Sequence, residues 1–142
     1  MPSFTIAGAN LQGAGPVVDV QIAVNKDVET GLRETGQPVP APYVALAMID
    51  TGASLTVIRE GLAQDLGLQP TGVRLIHTPS DINVRCQEYV VRLLFPNDIV
   101  FETDVVEVPL KGQHIDCLVG RNLLARGVLI YIGPDNLFTL SF

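Results

Sequence analysis

The sequence predicts a mainly β fold with two short helices, and three patterns lead to that expectation. Apolar side chains alternate with others over residues 18–24, which is the period of a strand with one buried face. Residues 43–49 form a short apolar run typical of a buried strand. Gly133-Pro-Asp-Asn136 separates two further apolar runs and has the composition of a hairpin turn.

The first half of the chain adds a terminal strand, a long loop and one helix. Residues 4–7 predict a short strand, with a frayed end as the alternative, followed by a flexible segment over residues 8–15. Residues 25–42 carry two glycines, three prolines and most of the early charges, which predicts a long surface loop. Leu62 and Leu66 are one helical turn apart before Gly67, which predicts a short helix.

The second half is expected to be strands and hairpins around the second short helix. Pro96-Asn97-Asp98 has turn composition and lies between two strand patterns. Leu123, Leu124 and Ala125 predict the helix, which Gly127 would end. The expected strands are residues 73–77, 84–95, 99–108, 116–119, 128–132 and 137–142.

Composition limits the classes of function. The chain has 9 Lys and Arg against 15 Asp and Glu, a net charge of −6, and no basic cluster, which argues against a nucleic-acid partner. With 47% hydrophobic residues the chain is apolar, and either a well-filled β core or an apolar subunit interface would account for this. At 142 residues a single domain over residues 1–142 is expected.

The cysteines, the histidines and the N-terminal segment suggest no further chemistry. Cys86 and Cys117 fit neither a disulfide framework nor a zinc site, and His77 and His114 are too far apart to suggest a metal site. The N-terminus lacks a signal-peptide pattern, and no run approaches the length of a membrane span. We therefore expect a cytoplasmic location with no membrane segment in this chain, unless the chain is part of a longer one.

The most informative stretch is Ile49-Asp50-Thr51-Gly52-Ala53-Ser54, which places one carboxylate between two apolar runs. Ionised carboxylates avoid apolar surroundings unless they are hydrogen-bonded or paired, so Asp50 needs a reason to be there. An ordinary turn is one such reason, with Asp bonding its own backbone. A catalytic role is the other possible reason, and the triplet alone does not decide between the two.

A second stretch is the glycine turn Leu118-Val-Gly-Arg-Asn-Leu-Leu124, which lies about seventy residues further on. Together the two stretches resemble the retropepsin-like, or retroviral-type, aspartic proteases, and the resemblance covers residues 17–142. It implies an acid protease β-barrel with a flap hairpin and the activity of an aspartic endopeptidase. Because the chain carries one Asp-Thr-Gly, the resemblance implies a homodimer in which Asp50 and its copy form the catalytic dyad. No cofactor or metal is implied, and the other partner is a peptide or protein substrate.

The resemblance also implies roles for the neighbours of Asp50. Thr51 would bond across the dimer, and Gly52 would let the backbone approach the carboxylate and offer its carbonyl to the substrate. Ala53 brings no hydroxyl to the dyad, so a mildly acidic pH optimum is expected. Ser54 stands where retroviral enzymes have an acid, so Arg121 needs another partner. Structural support of the site is expected from Gly120, Arg121 and Asn122.

The flap of this family is a mobile hairpin that closes over a bound peptide, and here it would be the hairpin of residues 73–77 and 84–95, joined by residues 78–83. Retroviral flaps have glycine-rich tips, whereas this one has Pro79, Asp81 and Asn83. The substrate is expected to bind as an added strand, with apolar residues flanking the cut. An ordinary surface position is the alternative for His77. The expected substrate-binding residues are His77, Thr78, Pro79, Ser80, Asp81, Ile82 and Val84.

Two further points concern assembly and alternative functions. By resemblance, residues 4–7 and 137–142 are candidates for the dimer interface. A dimerisation or peptide-binding module with little or no proteolytic activity stays open, because the flap tip is unusual. A plain β-barrel with a turn at Asp50 also stays open, and it would be monomeric.

Overall fold

The computed structural model describes residues 1–77 and 82–142. Its strands are β1 (Ser3–Ala7), β2 (Val17–Val24), β3 (Tyr43–Ile49), β4 (Thr56–Arg59), β5 (Gly72–Ile76), β6 (Val84–Phe95), β7 (Ile99–Val108), β8 (Cys117–Val119), β9 (Val128–Ile132) and β10 (Leu137–Ser141). Its helices are α1 (Leu11–Ala14), α2 (Lys26–Glu34), α3 (Leu62–Asp65) and α4 (Arg121–Leu124), and a 3₁₀ turn covers Pro96–Asp98.

Six strands close into a barrel, which confirms the predicted fold class. Each strand is hydrogen-bonded to the next in the order β2-β3-β8-β4-β7-β6, and β6 pairs back to β2. The second half of β6 makes this closure, with Val91 beside Val24 and Leu94 beside Gln21. The first half of β6 pairs instead with β5. One long strand therefore belongs both to the barrel wall and to the pair that it forms with β5.

The barrel core follows the alternation seen in the sequence. Every second residue of β2 from Val18 to Val24 is buried, and so is every second residue of β6 from Tyr89 to Phe95. Each fully buried apolar side chain of this size contributes about 1.5–3 kcal/mol. A smaller apolar cluster of Val57, Cys86, Val106 and Leu110 packs against Leu55 and Ile76.

The chain ends form a separate three-stranded antiparallel sheet in the order β1-β10-β9. Its inner face carries Phe4, Phe138 and Leu140, all buried, and the ring of Phe4 stacks on Phe95 with centroids 5.7 Å apart. The predicted terminal strand and the predicted hairpin around residues 133–136 are both present. The inner face joins this sheet to the barrel.

The predicted long loop over residues 25–42 is wrong, because it contains helix α2. The Asn25 side chain caps the helix by accepting a hydrogen bond from the Val28 N–H at 3.0 Å, and it donates to the Val90 carbonyl at 2.9 Å. Glu29 forms ion pairs with Arg33 at 2.8 Å and Arg92 at 3.1 Å. None of the residues of α2 is fully buried, and its apolar side is narrow, with Val28 and Leu32 one turn apart and Val28 packed against the core.

Helix α1 is the second unexpected helix, and it lies within the segment predicted to be flexible. Leu11 is buried, and its N–H donates to the side-chain oxygen of Asn136 at 2.8 Å. The turn between β9 and β10 therefore holds α1 in place. The two predicted helices are present as α3 and α4.

The expected flap tip lies partly outside the residues that the structure describes. Strands β5 and β6 are present where they were predicted, but Thr78, Pro79, Ser80 and Asp81 lie outside the described residues. The expectations for these four residues stay predictions. Over residues 1–77 and 82–142, the structure has no helix that is both long enough and apolar enough to cross a membrane.

Candidate active site

Asp50 lies at the end of β3, where the two stretches singled out in the sequence meet. Strands β3 and β8 are parallel, with Ile49 beside Val119. The Asp50 N–H donates to the carbonyl of Val119 at 3.0 Å. Because parallel strands end at the same edge of a sheet, this pairing brings Asp50 next to Gly120.

A tight turn fixes one oxygen of the Asp50 carboxylate. The N–H of Gly52 donates to Oδ1 at 2.9 Å, and the N–H of Ala53 donates to the Asp50 carbonyl at 3.2 Å. A Cβ atom on Gly52 would lie 3.1 Å from that Oδ1, so the glycine keeps this approach open. Asp50 is half-buried, and Oδ2 has no hydrogen-bond partner among residues 1–77 and 82–142. The turn therefore fixes one carboxylate oxygen and leaves the other without a partner in this part of the chain.

The start of α4 holds the Asp50 loop, which is the name used here for residues 50–54. The Arg121 N–H donates to the Ala53 carbonyl at 2.8 Å, and the Asn122 N–H donates to the Ser54 carbonyl at 3.1 Å. The Arg121 side chain, whose partner could not be assigned from the sequence, donates from Nη1 to the Thr51 carbonyl at 2.8 Å. These three hydrogen bonds hold the backbone of the Asp50 loop at the carbonyls of Thr51, Ala53 and Ser54.

Gly120 and Thr56 pack against each other beneath the loop. A Cβ atom on Gly120 would collide with the backbone of Leu55, so a side chain is excluded there. The N–H of Gly120 donates to Oγ1 of Thr56 at 3.1 Å. Sequence reasoning missed Thr56, although a threonine inside an apolar run was a usable signal of a buried polar contact.

A cleft of about 290 Å³ opens beside the Asp50 loop. It is lined by Gly52, Ala53, Ser54, Leu55, Val57, Ile76, His77, Val106 and Arg121. Of the predicted substrate-binding residues that the structure describes, His77 lies in this lining. Ile82 is 76% exposed, and Val84 packs instead against the apolar cluster of Val57, Cys86, Val106 and Leu110.

A second groove, of about 310 Å³, shares Arg121 with the first. Thr51, Leu124, Ala125 and Leu129 complete its lining, which is largely apolar. The Asp50 loop therefore has an apolar surface close to it, and this surface continues through Leu129 into strand β9.

The two cysteines do not take part in the site. Burial raises the pKa of the Cys117 thiol to about 12, and burial also raises the pKa of Cys86. Both thiols are therefore kept protonated and poorly reactive at neutral pH. Within the described ranges no three His, Cys, Asp or Glu side chains come together as a possible metal site.

A barrel of this topology, with an Asp-Thr-Gly loop held by a glycine turn, defines the retropepsin-like class of fold. The aspartyl protease family model matches residues 35–123, a segment that includes both the Asp50 loop and the Gly120–Asn122 turn. The chain therefore belongs to the aspartyl protease family.

Comparison with one solved structure gives the same fold. The chain is similar to a retropepsin-like aspartic protease from Rickettsia conorii, with a TM-score of 0.59 and 18% identity over 99% of this chain and 91% of that chain. It is also similar to the retroviral protease-like domain of Ddi1 from Leishmania major, with a TM-score of 0.45 and 12% identity over 89% of this chain and 94% of that chain. None of the curated proteins compared with the chain matches it.

Proposed function

We propose that the protein is an aspartic endopeptidase whose active site forms when two copies bring their Asp50 side chains together. The observation that carries this proposal is the Asp50 carboxylate itself. Its Oδ1 is held by the Gly52 N–H at 2.9 Å, at a strand end beside an open cleft. The chain has one Asp-Thr-Gly, whereas the reaction needs two carboxylates, so the second comes from another copy.

The chemistry follows from the proximity of two like charges. Two carboxylates about 3 Å apart in a partly buried site cannot both ionise, so they share one proton. The unprotonated Asp50 removes a proton from a water molecule between them while the protonated one donates to the scissile carbonyl oxygen. The resulting tetrahedral diol collapses when the leaving amine takes a proton. The Gly52 N–H keeps one carboxylate oxygen in place throughout these reaction steps.

The surface next to the Asp50 loop suits a second copy of the chain. Strands β1, β9 and β10 contain no charged residue, so two chains of net charge −6 could meet there without repulsion. Strand β10 is already paired on both sides within one chain, which leaves the edges of β1 and β9 for an intermolecular contact. Strand β9 exposes Val128 and Ile130 at 49% each and continues into the apolar groove through Leu129. We therefore infer that β9 and residues 4–7 form the proposed interface, whereas the part of residues 137–142 rests on the resemblance alone, because both edges of β10 are paired within the chain.

The decisive experiment replaces Asp50 with Asn and measures cleavage of a mixed peptide pool by mass spectrometry at several pH values. We expect the native chain to cut and Asp50→Asn to lose cutting, with an unchanged circular dichroism spectrum and unchanged sedimentation. Asp19→Asn is the matched control, because Asp19 is an exposed acid on β2, and it should cut normally.

Two results would contradict the proposal. Cleavage that persists in Asp50→Asn would show that Asp50 is not the reacting group. Peptide binding without cleavage by the native chain, retained in Asp50→Asn, would favour the alternative of a peptide-binding module.

A further inference from the structure

The cleft beside the Asp50 loop differs in charge from the rest of the chain. The chain carries 15 acidic residues against 9 basic ones, yet among residues 1–77 and 82–142 the lining of this cleft contains Arg121 and no carboxylate. Its walls are otherwise apolar or uncharged, with Leu55, Val57 and Ile76 among them. A substrate entering here meets a cation beside an apolar surface.

Arg121 also differs from most other arginines of the chain in its contacts. Four arginines form ion pairs with Asp or Glu at 2.8–3.1 Å, namely Arg33, Arg59, Arg74 and Arg92. In the part of the chain that the structure describes, Arg121 forms no ion pair, and its side chain donates one hydrogen bond to the Thr51 carbonyl. A guanidinium group has further N–H donors in a rigid fork, and Arg121 is an exposed residue.

Ser54 lies close to Arg121 in the fold and brings no acid to it. The backbones of the two segments are bonded side by side, with the Arg121 N–H on the Ala53 carbonyl and the Asn122 N–H on the Ser54 carbonyl. Ser54 and Arg121 both line the cleft, and serine brings no charge to it. An exposed guanidinium without an intramolecular acid is suited to bind a carboxylate from outside through two parallel hydrogen bonds.

We propose that Arg121 binds a carboxylate of the substrate, so that peptides with Glu or Asp near the apolar residue in the cleft are preferred. This inference rests on the proposed function, because it assigns a specificity to the same site. Arg121 is then both a positioning residue, through Thr51, and a substrate-binding residue, through its remaining donors.

The first test compares peptides of about ten residues that have a central apolar pair and carry either Glu or Gln at one position at a time. We expect a kcat/KM ratio of about threefold to tenfold in favour of Glu at one position or more. The ratio should fall when NaCl is raised from about 0.05 to about 0.5 M, because the contact is partly exposed. A ratio near one at every position would overturn the inference.

Variants of position 54 assign the preference to Arg121. Ser54→Asp gives the guanidinium an intramolecular partner, so the Glu to Gln ratio should fall to about one. Ser54→Asn, of matched size and without charge, should keep the ratio. Arg121→Gln serves as a second variant if Ser54→Asp does not fold, and it should also abolish the ratio. A ratio that survives both Ser54→Asp and Arg121→Gln would overturn the inference.

A binding measurement separates this inference from the proposed function. The affinity of Asp50→Asn for the same Glu and Gln peptides is measured by fluorescence anisotropy. Cleavage without preference for Glu contradicts the carboxylate site alone. Preferred binding of Glu peptides by Asp50→Asn, with no cleavage by the native chain, contradicts the endopeptidase alone. If the native chain does not cleave the peptides and Asp50→Asn does not bind them, both proposals are contradicted.

Discussion

Asn122 accepts two hydrogen bonds from a single residue, Thr56. Its Oδ1 receives the Thr56 backbone N–H at 2.9 Å and the Thr56 hydroxyl at 2.8 Å. The same hydroxyl oxygen accepts the Gly120 N–H at 3.1 Å, and Thr56 is fully buried. This small network connects the start of β4 to the start of α4 and so fixes both sides of the Asp50 loop.

Removal of the Thr56 hydroxyl should therefore destabilise the fold. Thr56→Val keeps the size of the side chain but leaves the buried Gly120 N–H without its partner. We expect a loss of about 1–3 kcal/mol in the free energy of unfolding, measured by urea denaturation. Thr103→Val is the matched control, because Thr103 accepts a longer bond of 3.3 Å from Asn122, and it should cost less than about 1 kcal/mol. Equal losses in the two variants would contradict the importance of the buried network.

Gly120 should not tolerate even one methyl group. In Gly120→Ala the new Cβ atom would collide with the Leu55 backbone, so one of the two segments must move. We expect a loss of about 2 kcal/mol or more and a marked loss of activity, because the Asp50 loop shifts with these segments. Gly31→Ala is the control, because nothing lies within 4 Å of its added Cβ atom in helix α2. It should stabilise the protein by about 0.5–1 kcal/mol in the same denaturation assay.

A lysine on strand β9 should weaken the proposed dimer. Ile130→Lys places a charge on an uncharged face that two subunits would bury, and a buried unpaired charge is costly. We expect the dimer dissociation constant to rise about tenfold or more by analytical ultracentrifugation, with a parallel loss of activity at low protein concentration.

Val44→Lys provides the comparison for that experiment. Val44 is 70% exposed on β3, and it lies six residues, or about 20 Å of strand, from Asp50. It should leave both dimerisation and activity unchanged. If the two lysine variants behave alike, β9 does not form the contact.

The buried thiol of Cys117 should make stability depend on alkaline pH. Burial raises its pKa from 9.0 to about 12, so between these values the folded chain keeps a proton that the unfolded chain has lost. The stabilisation is complete below about pH 9 and is lost as the pH rises towards 12. The slope of unfolding free energy against pH above 9 should therefore be smaller in Cys117→Ala. A slope identical to that of the native chain would contradict this assignment.

Thiol accessibility gives a second measurement of the same burial. Cys86 and Cys117 are both buried and both free, so a thiol reagent should label neither quickly at pH 8 in the native protein. Both should react after denaturation. Rapid labelling of Cys117 in the native state would contradict the packing of β8 in the barrel.

Most strands could be predicted because their signal is local. The alternation in β2 and the turn at residues 133–136 lie within short stretches of sequence, and the structure contains both elements. Helix α2 was missed because its apolar side is short, with only Val28 packed against the core, and because it is also held by the Asn25 cap and by an ion pair between Glu29 and Arg92. The signal for that helix lies partly in a strand more than sixty residues away.

The contacts of the site divide in the same manner. The Asp-Thr-Gly triplet and the glycine turn were recognisable as sequence, because only certain residue types can make those turns. The partner of Arg121 was not recognisable from the sequence. It is the Thr51 carbonyl, and every residue offers a backbone carbonyl. Thr56 was missed for a related reason, since its partner Asn122 is 66 positions further along the chain.

The sequence by itself determined the strands, the turn chemistry and the two stretches that the site needs, because backbone propensity and hydrophobic period act over a few residues. The tertiary structure alone decided that β3 and β8 lie side by side, so that Asp50 meets Gly120, and that Arg121 lines the cleft while its side chain bonds the Thr51 carbonyl. Those relationships come from strand pairing across the barrel, which depends on closing the whole chain and not on any one segment.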